Sequence, residues 1–260
     1  GLKNTTFSFK YNNFQELKSL VDKNNIGIIK MEVKRFEDPK NDFLKKVRNL
    51  ATRKNIVLIF DECTSGFRES LGGIHKKFKV EPDIAIFGKA LGNGYAINSI
   101  IGKRSIMDAC NRTFISSTFW TERIGYTAAN KTLEIMKKQQ SWKILINKGR
   151  KIKKMWKKIA KSNSLDLNIT GMDAIPIFSF KNIHNDNLLY KTFITQEMLK
   201  KNILASNVIY LSTAHTDHYI NRYFDYLDKI FSKIRKCEDD KLNINSLLNY
   251  PVSLSGMRNK

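Results

Sequence analysis

The sequence predicts an α/β domain built on a mostly parallel sheet, followed by a smaller α+β domain. Three observations carry this prediction. Residues 56–61 (IVLIFD) form a continuous apolar run ending in an acid, as in a strand buried on both faces. An amphipathic helix (41–54) and a further strand (26–33) precede that run, which gives the strand–helix–strand order of a parallel sheet. Beyond about Glu122 the pattern changes to long helical stretches around only two strands.

In chain order, residues 14–24 (FQELKSLVDKN) read as a short helix and 26–33 (IGIIKMEV) as a strand. Residues 41–54 place Phe43, Leu44, Val47 and Leu50 on one helical face. Two short strands follow 56–61, at 83–87 (DIAIF) and 96–102 (AINSIIG). A helical stretch runs from Glu122 to Ser162 with a break near Gln140–Ser141. Strands at 166–170 and 174–181 come next, then a helix from Asn187 to Lys201, short apolar pieces over 203–211, and an amphipathic helix from Asp217 to Lys236. The expected organisation is therefore a large α/β domain over 1–125, a connecting helix over 126–139, and a small α+β domain over 140–260.

Composition excludes several classes of protein. The 260 residues are 42% hydrophobic, enough for a sizeable core. No apolar stretch reaches membrane-spanning length, and the first residues lack a signal-peptide core. Three scattered cysteines (Cys63, Cys110 and Cys237) argue against a disulfide framework and for a reducing cytoplasm. With no CxxC pair, no metal site is read; His215 and His218 could share a helix face but lack a third ligand. The net charge of +22 raises a basic nucleic-acid-binding module as an alternative. Its densest run, Lys143 to Lys161, interleaves basic residues with Leu145, Ile152, Trp156 and Ile159 at helical spacing, the pattern of an amphipathic helix with a solvated basic face.

Two stretches carry chemistry. VLIFDECTSGFR (57–68) ends an apolar strand at Asp61-Glu62, and open α/β sheets bind ligands at the carboxyl ends of their strands. A strand ending in Asp-Glu also occurs in P-loop ATPases, but here Gly88-Lys89 has Asp83 where the first glycine belongs and no Ser or Thr after the lysine. PDIAIFGKALGNGYAINSIIGK (82–103) places Lys89 after a strand and before Gly92-Asn93-Gly94. A lysine there is expected to be largely desolvated, which readies a neutral amine for an aldehyde. An acid ending one strand and a lysine following the next, 28 residues on, match the needs of pyridoxal-phosphate (PLP) chemistry.

FDECTSGFR, PDIAIFGKALGNGY and STFWTERIGYTAANKTLE, in that order, resemble the class III aminotransferases of PLP fold type I, nearest the glutamate-1-semialdehyde aminomutase-like branch. The resemblance runs from Gly1 to the C-terminal PVSLSGMR. It implies that Asp61 pairs with the pyridine nitrogen, that Cys63 packs on one ring face and that Lys89 is the Schiff-base lysine. It also implies that Thr118 reaches the cofactor phosphate of a neighbouring subunit, hence a homodimer with shared sites. Trp120, Thr121 and Glu122 replace commoner small residues, which points to Trp120 and Glu122 as substrate contacts. The implied activity is amino transfer between an amino compound and a carbonyl compound, or the intramolecular aminomutase variant. Three prolines of the pattern are absent, at Val33, Ala96 and Tyr126, a change in backbone stiffness rather than chemistry. No carboxylate-binding arginine is assigned, Arg68 and Arg123 being nearest to the motifs. The family's N-terminal phosphate-binding turn and ring-stacking aromatic have no counterpart in 1–56, so this stretch is expected to be the C-terminal part of such an enzyme, binding PLP weakly by itself.

Overall fold

The computed structural model describes residues 4–34, 36–116 and 118–254. Residues 1–3 and 255–260, to which the resemblance extends, lie outside the described residues. The chain divides into two compact units, Gly1–Lys143 and Ile144–Lys260. The helix expected as a connector lies within the first.

The first unit opens with α1 (Phe14–Lys23), whose N-terminus is capped where the Asn13 side chain accepts the Glu16 N–H at 3.2 Å. It continues with β1 (Ile28–Glu32), α2 (Phe43–Arg53), β2 (Val57–Asp61), the single turn α3 (His75–Phe78) and β3 (Ile84–Phe87). A 3-10 turn (Lys89–Leu91) leads to β4 (Ser99–Gly102) and the short α4 (Arg104–Met107), and the long α5 (Arg123–Gln139) follows. The sheet order is β1-β2-β3-β4, with the first three strands parallel and β4 antiparallel to β3. The reversal follows from the connection over 88–98, too short to hold a crossover helix and turning where Gly94 takes a φ of +107°.

Burial alternates along these strands. Ile29, Met31, Leu58, Phe60, Ala85 and Phe87 are buried, and α2 packs against β2 while Ala129 of α5 joins Ala85 and Phe87 in one cluster. The opposite face carries Ile28, Lys30, Glu32, Val57, Ile59, Asp61, Ile86 and Ile100 in register, and Ile28 and Ile100 are each 58% exposed there. The expectation that 56–61 is buried on both faces is therefore corrected. Val57, Ile59 and Asp61 are only partly buried, because the described helices pack on the Phe60 face. Asp83 ties the buried side together: its carboxylate accepts the Leu58 N–H at 2.8 Å, Arg48 at 2.8 Å and Lys103 at 2.7 Å. Burial pushes this carboxyl upward, but the Leu58 hydrogen bond and the two cations outweigh it and hold it below the ordinary value.

The second unit contains most of α6 (Ser141–Ser162), then the antiparallel pair β5 (Asp166–Thr170) and β6 (Ile177–Lys181), α7 (Asn187–Leu199), α8 (Asp217–Glu238) and the short α9 (Ile244–Leu247). β6 begins later than expected because Pro176 has no N–H to give the ladder and the Ile175 N–H bonds back to Met172. Phe178 sits at the centre of an aromatic core, with ring centroids 4.8 Å from Trp156 and 5.8 Å from both Phe180 and Phe231. The buried Trp156 indole donates to the Tyr223 hydroxyl at 3.0 Å. The buried Glu238 carboxylate accepts the Tyr190 hydroxyl and the His184 N–H, closing α8 against α7 and the residues after β6. Of the basic side chains on α6, Arg150 and Lys153 pair with Asp173 and Lys151 with Asp217. His215 lies ahead of α8, in the turn before Thr216, so the expectation that it shares a helix face with His218 is corrected.

Candidate active site

Asp61 is the last residue of β2, and its neighbour across the parallel pairing is Ile86 of β3. Lys89 comes three residues after Ile86, so the acid and the amine leave adjacent strands at the same, carboxyl end of the sheet.

The turn after β2 is built around buried acceptors. Asp61 Oδ1 accepts the Cys63 N–H at 3.1 Å, an Asx turn that aims the chain back over the strand end. Glu62 is fully buried and accepts from the Ser65 hydroxyl, from the Ile74 N–H at 3.0 Å and from the His75 N–H at 2.9 Å; the His75 ring Nδ1 lies 2.9 Å away. Gly66 lets this turn lie on the sheet, since a Cβ there would come within 2.6 Å of the Phe87 ring. The result fixes Thr64, which is 3% exposed and accepts the Lys89 ammonium on its hydroxyl at 2.7 Å. Arg68 donates to the Thr64 carbonyl at 2.7 Å, a bond that serves the turn.

Lys89 itself adopts a left-handed backbone, with φ at +45°. For a residue with a Cβ this conformation costs roughly 1 kcal/mol or more, and such strain concentrates at functional positions. The expected desolvation is corrected: Lys89 is exposed, although α5 packs on the turn that follows it through Leu91 and Ala129. Gly88 packs tightly beside it, a Cβ there falling 2.2 Å from Asn98 Oδ1 and 3.4 Å from Cys63 Sγ. The Cys63 thiol thus lies next to Gly88, the residue before the lysine, and burial together with the Asp61 charge pushes it above its ordinary range.

One partner of Asp61 has no place in the motif. Lys30, on β1, sends its ammonium to Asp61 Oδ2 at 2.9 Å. Burial acts to raise the Asp61 carboxyl, but the Lys30 bond and the Cys63 N–H prevail and hold it below its ordinary value. Lys30 and Thr64 are the two site residues that the sequence did not single out. The alternation of IIKME could have placed Lys30 on the face of Asp61, whereas nothing local marks Thr64.

Thr118, Trp120 and Glu122 form an exposed turn before α5, with Trp120 55% exposed and its carbonyl accepting from the Tyr126 hydroxyl at 3.2 Å. Among the described residues no hydrogen bond or ion pair joins them to Asp61, Cys63 or Lys89. Arg123 is exposed at the start of α5. A separate open cavity of about 610 Å³ lies in the second unit between Leu204, Tyr210, His215 and Tyr219, and none of the candidate residues lines it.

The donor set suits one group. An amine that takes part in no ion pair among the described residues, an ionised carboxylate one strand away and a small side chain beside the amine fit a pyridine ring bearing an aldehyde.

The sequence profile of the family Aminotransferase class-III matches residues 36–230. The chain is 32% identical over 244 residues to a 3-aminobutyryl-CoA aminotransferase of Cloacimonas acidaminovorans, covering 88% of this chain and 58% of that protein. It is 27% identical over 252 residues to a glutamate-1-semialdehyde 2,1-aminomutase of Nitrosopumilus maritimus, covering 85% and 57%. The chain therefore spans 57–58% of the length of these relatives. Among solved structures, FumI of Sphingopyxis sp. MTA144 in a PLP form superposes with a TM-score of 0.83 at 22% identity, covering 93% of this chain and 60% of that one. A β-phenylalanine aminotransferase from Variovorax paradoxus does so with a TM-score of 0.74 at 20% identity, covering 89% and 59%. These likenesses establish the fold, that of PLP-dependent transaminases.

Proposed function

This chain belongs to the class-III aminotransferase family, and on that premise we propose that it serves PLP-dependent transfer of an amino group between an amino compound and a carbonyl compound. The observation that carries the reading is the pairing of Asp61 and Lys89 at the carboxyl ends of adjacent parallel strands, with the lysine ammonium held on the Thr64 hydroxyl.

When bound, PLP supplies an aldehyde that bonds amines and a protonated ring that draws electrons from the bond being broken. The protein residues supply the rest. Lys89 would hold the aldehyde through Nζ and, when free, would serve as the base that moves the proton of the substrate carbon. Thr64 holds that nitrogen in place. Asp61, kept ionised by its neighbours, would accept a hydrogen bond from the ring nitrogen. Cys63 would pack on one ring face and Thr118 would reach the phosphate held by a second copy, which makes the working form a homodimer; a cytoplasmic location belongs to the same reading. Trp120 and Glu122 border the substrate. Among the described residues no helix is long and apolar enough to cross a membrane.

The aminomutase relative supports a second reading, in which the amino group returns to a neighbouring carbon of the same molecule. Release of a keto product from a single amine substrate marks the transaminase, and its absence with isomerised product marks the mutase.

The test of the main reading is covalent. PLP is added to the full chain as the cell makes it, the mixture is reduced with borohydride, and the adduct is located by peptide mass spectrometry. The expected adduct sits on Lys89 and is lost in Lys89→Ala. An unchanged protein that yields no adduct overturns the cofactor reading.

A further inference from the structure

The Asp61 carboxylate has a companion that neither the motif nor the family likeness assigns. On the open face of the sheet, Lys30 and Asp61 are diagonal neighbours: Lys30 pairs in register with Ile59, and Asp61 stands two residues further along the same strand and face. The Lys30 ammonium reaches Asp61 Oδ2 at 2.9 Å, while Asp61 Oδ1 takes the Cys63 N–H at 3.1 Å. The carboxylate is thereby held from two sides, by a strand and by a turn, in one orientation. Its own side chain is 24% exposed and that of Lys30 is 56% exposed, so the cation approaches from solvent onto a mostly buried acid.

We propose that Lys30 is a positioning residue of this site, orienting the Asp61 carboxylate at the strand end so that it meets the cofactor's ring nitrogen as an anion. The proposal rests on the reading of Asp61 as that nitrogen's partner. Its physical content is a contest between burial and a neighbouring cation. Desolvation favours the neutral acid, and a hydrogen-bonded ammonium favours the carboxylate. The ionisable groups facing the pair are Glu32, which stands on β1 in register opposite Asp61 and two residues from Lys30, Cys63 in the turn after β2 and, toward Cys63, Lys89 after β3. Lys30 bonds Asp61 directly, so its removal leaves burial opposed by the Cys63 backbone and thiol. An ordinary aliphatic residue at this place in the alternation of IIKME would complete the apolar row of Ile28 and Ile59 and leave the acid without its counter-charge.

The decisive readout needs no turnover. The side-chain carbonyl carbon of Asp61, isotope-labelled in the cofactor-free full chain, is titrated by NMR in the unchanged protein, in Lys30→Met and in Lys30→Arg. In the unchanged protein the midpoint lies below the ordinary aspartate value of 3.8. Lys30→Met moves it up, and Lys30→Arg returns it toward the original position. The acid limb of PLP binding, followed by its visible spectrum against pH, moves up with the Asp61 midpoint in Lys30→Met. An Asp61 midpoint and an acid limb unchanged in Lys30→Met overturn the proposal, as does an effect that Lys30→Arg fails to rescue. A loss of thermal stability without a shifted titration also counts against it, since a merely structural lysine would give that result. If the carboxyl titration responds to Lys30 while no PLP adduct forms on Lys89, it is the cofactor reading that fails and the electrostatic coupling that stands.

Discussion

The two units of this chain handle apolar surface in opposite ways. In the second unit the β5–β6 pair is enclosed, with Phe178 and Trp156 fully buried and Tyr190, Phe193 and Phe231 closing around them. In the first unit the sheet is closed on the Phe60 face and partly open on the Asp61 face, where Ile28 and Ile100 are 58% exposed. The proposed site lies at the carboxyl ends of the strands of this first sheet. A strand end that keeps water and ligand access is where an acid and an amine can meet a third molecule, and a closed aromatic core is where stability accumulates.

The sharpest contrast is a pair of substitutions. Phe178→Ala removes the ring at the centre of the second core and should cost about 3–5 kcal/mol, read as a fall in the denaturant midpoint. Ile100→Thr on the open face should cost no more than about 0.5 kcal/mol in the same experiment. A loss at Ile100 approaching that at Phe178 would break the comparison, by showing that the face is covered in solution.

A smaller effect concerns His215. Burial holds its imidazole below the ordinary value, ahead of an opposing hydrogen bond with Ser212 and with Lys148 adding to the depression. The folded protein therefore takes up this proton at lower pH than the unfolded chain, and the contribution to stability is lost as pH falls below about 6.5, the unfolded value. The ring signals of His215 should titrate below that value, and His215→Gln should flatten the fall of stability on acidification. A ring that titrates at or above the ordinary value would remove this residue from the account.

Much of this arrangement was legible in the chain itself. Asp61 and Lys89 stand out because each closes or follows a short apolar strand, and such runs are set by residues a few positions apart. The strand–helix–strand order and the helix starts at Phe14 and Asp217 come from the same short-range periodicity, whereas α2 starts at Phe43 rather than the expected Asn41, since Asp42 takes a left-handed backbone. The basic run over α6 read as a solvated helix face, and three of its side chains are paired with Asp173 and Asp217.

The remainder belongs to tertiary structure. Lys30 meets Asp61 from 31 residues away and Thr64 meets Lys89 from 25, contacts that depend on strand order and register and leave no mark in local pattern. The exposure of Lys89 and the one-sided burial of β2 likewise depend on which helices pack on which face. The sequence alone determined which residues could do chemistry, because composition and period are properties of neighbours along the chain. Only the fold decided which of them touch and how much water they see, because pairing and burial are properties of neighbours in space.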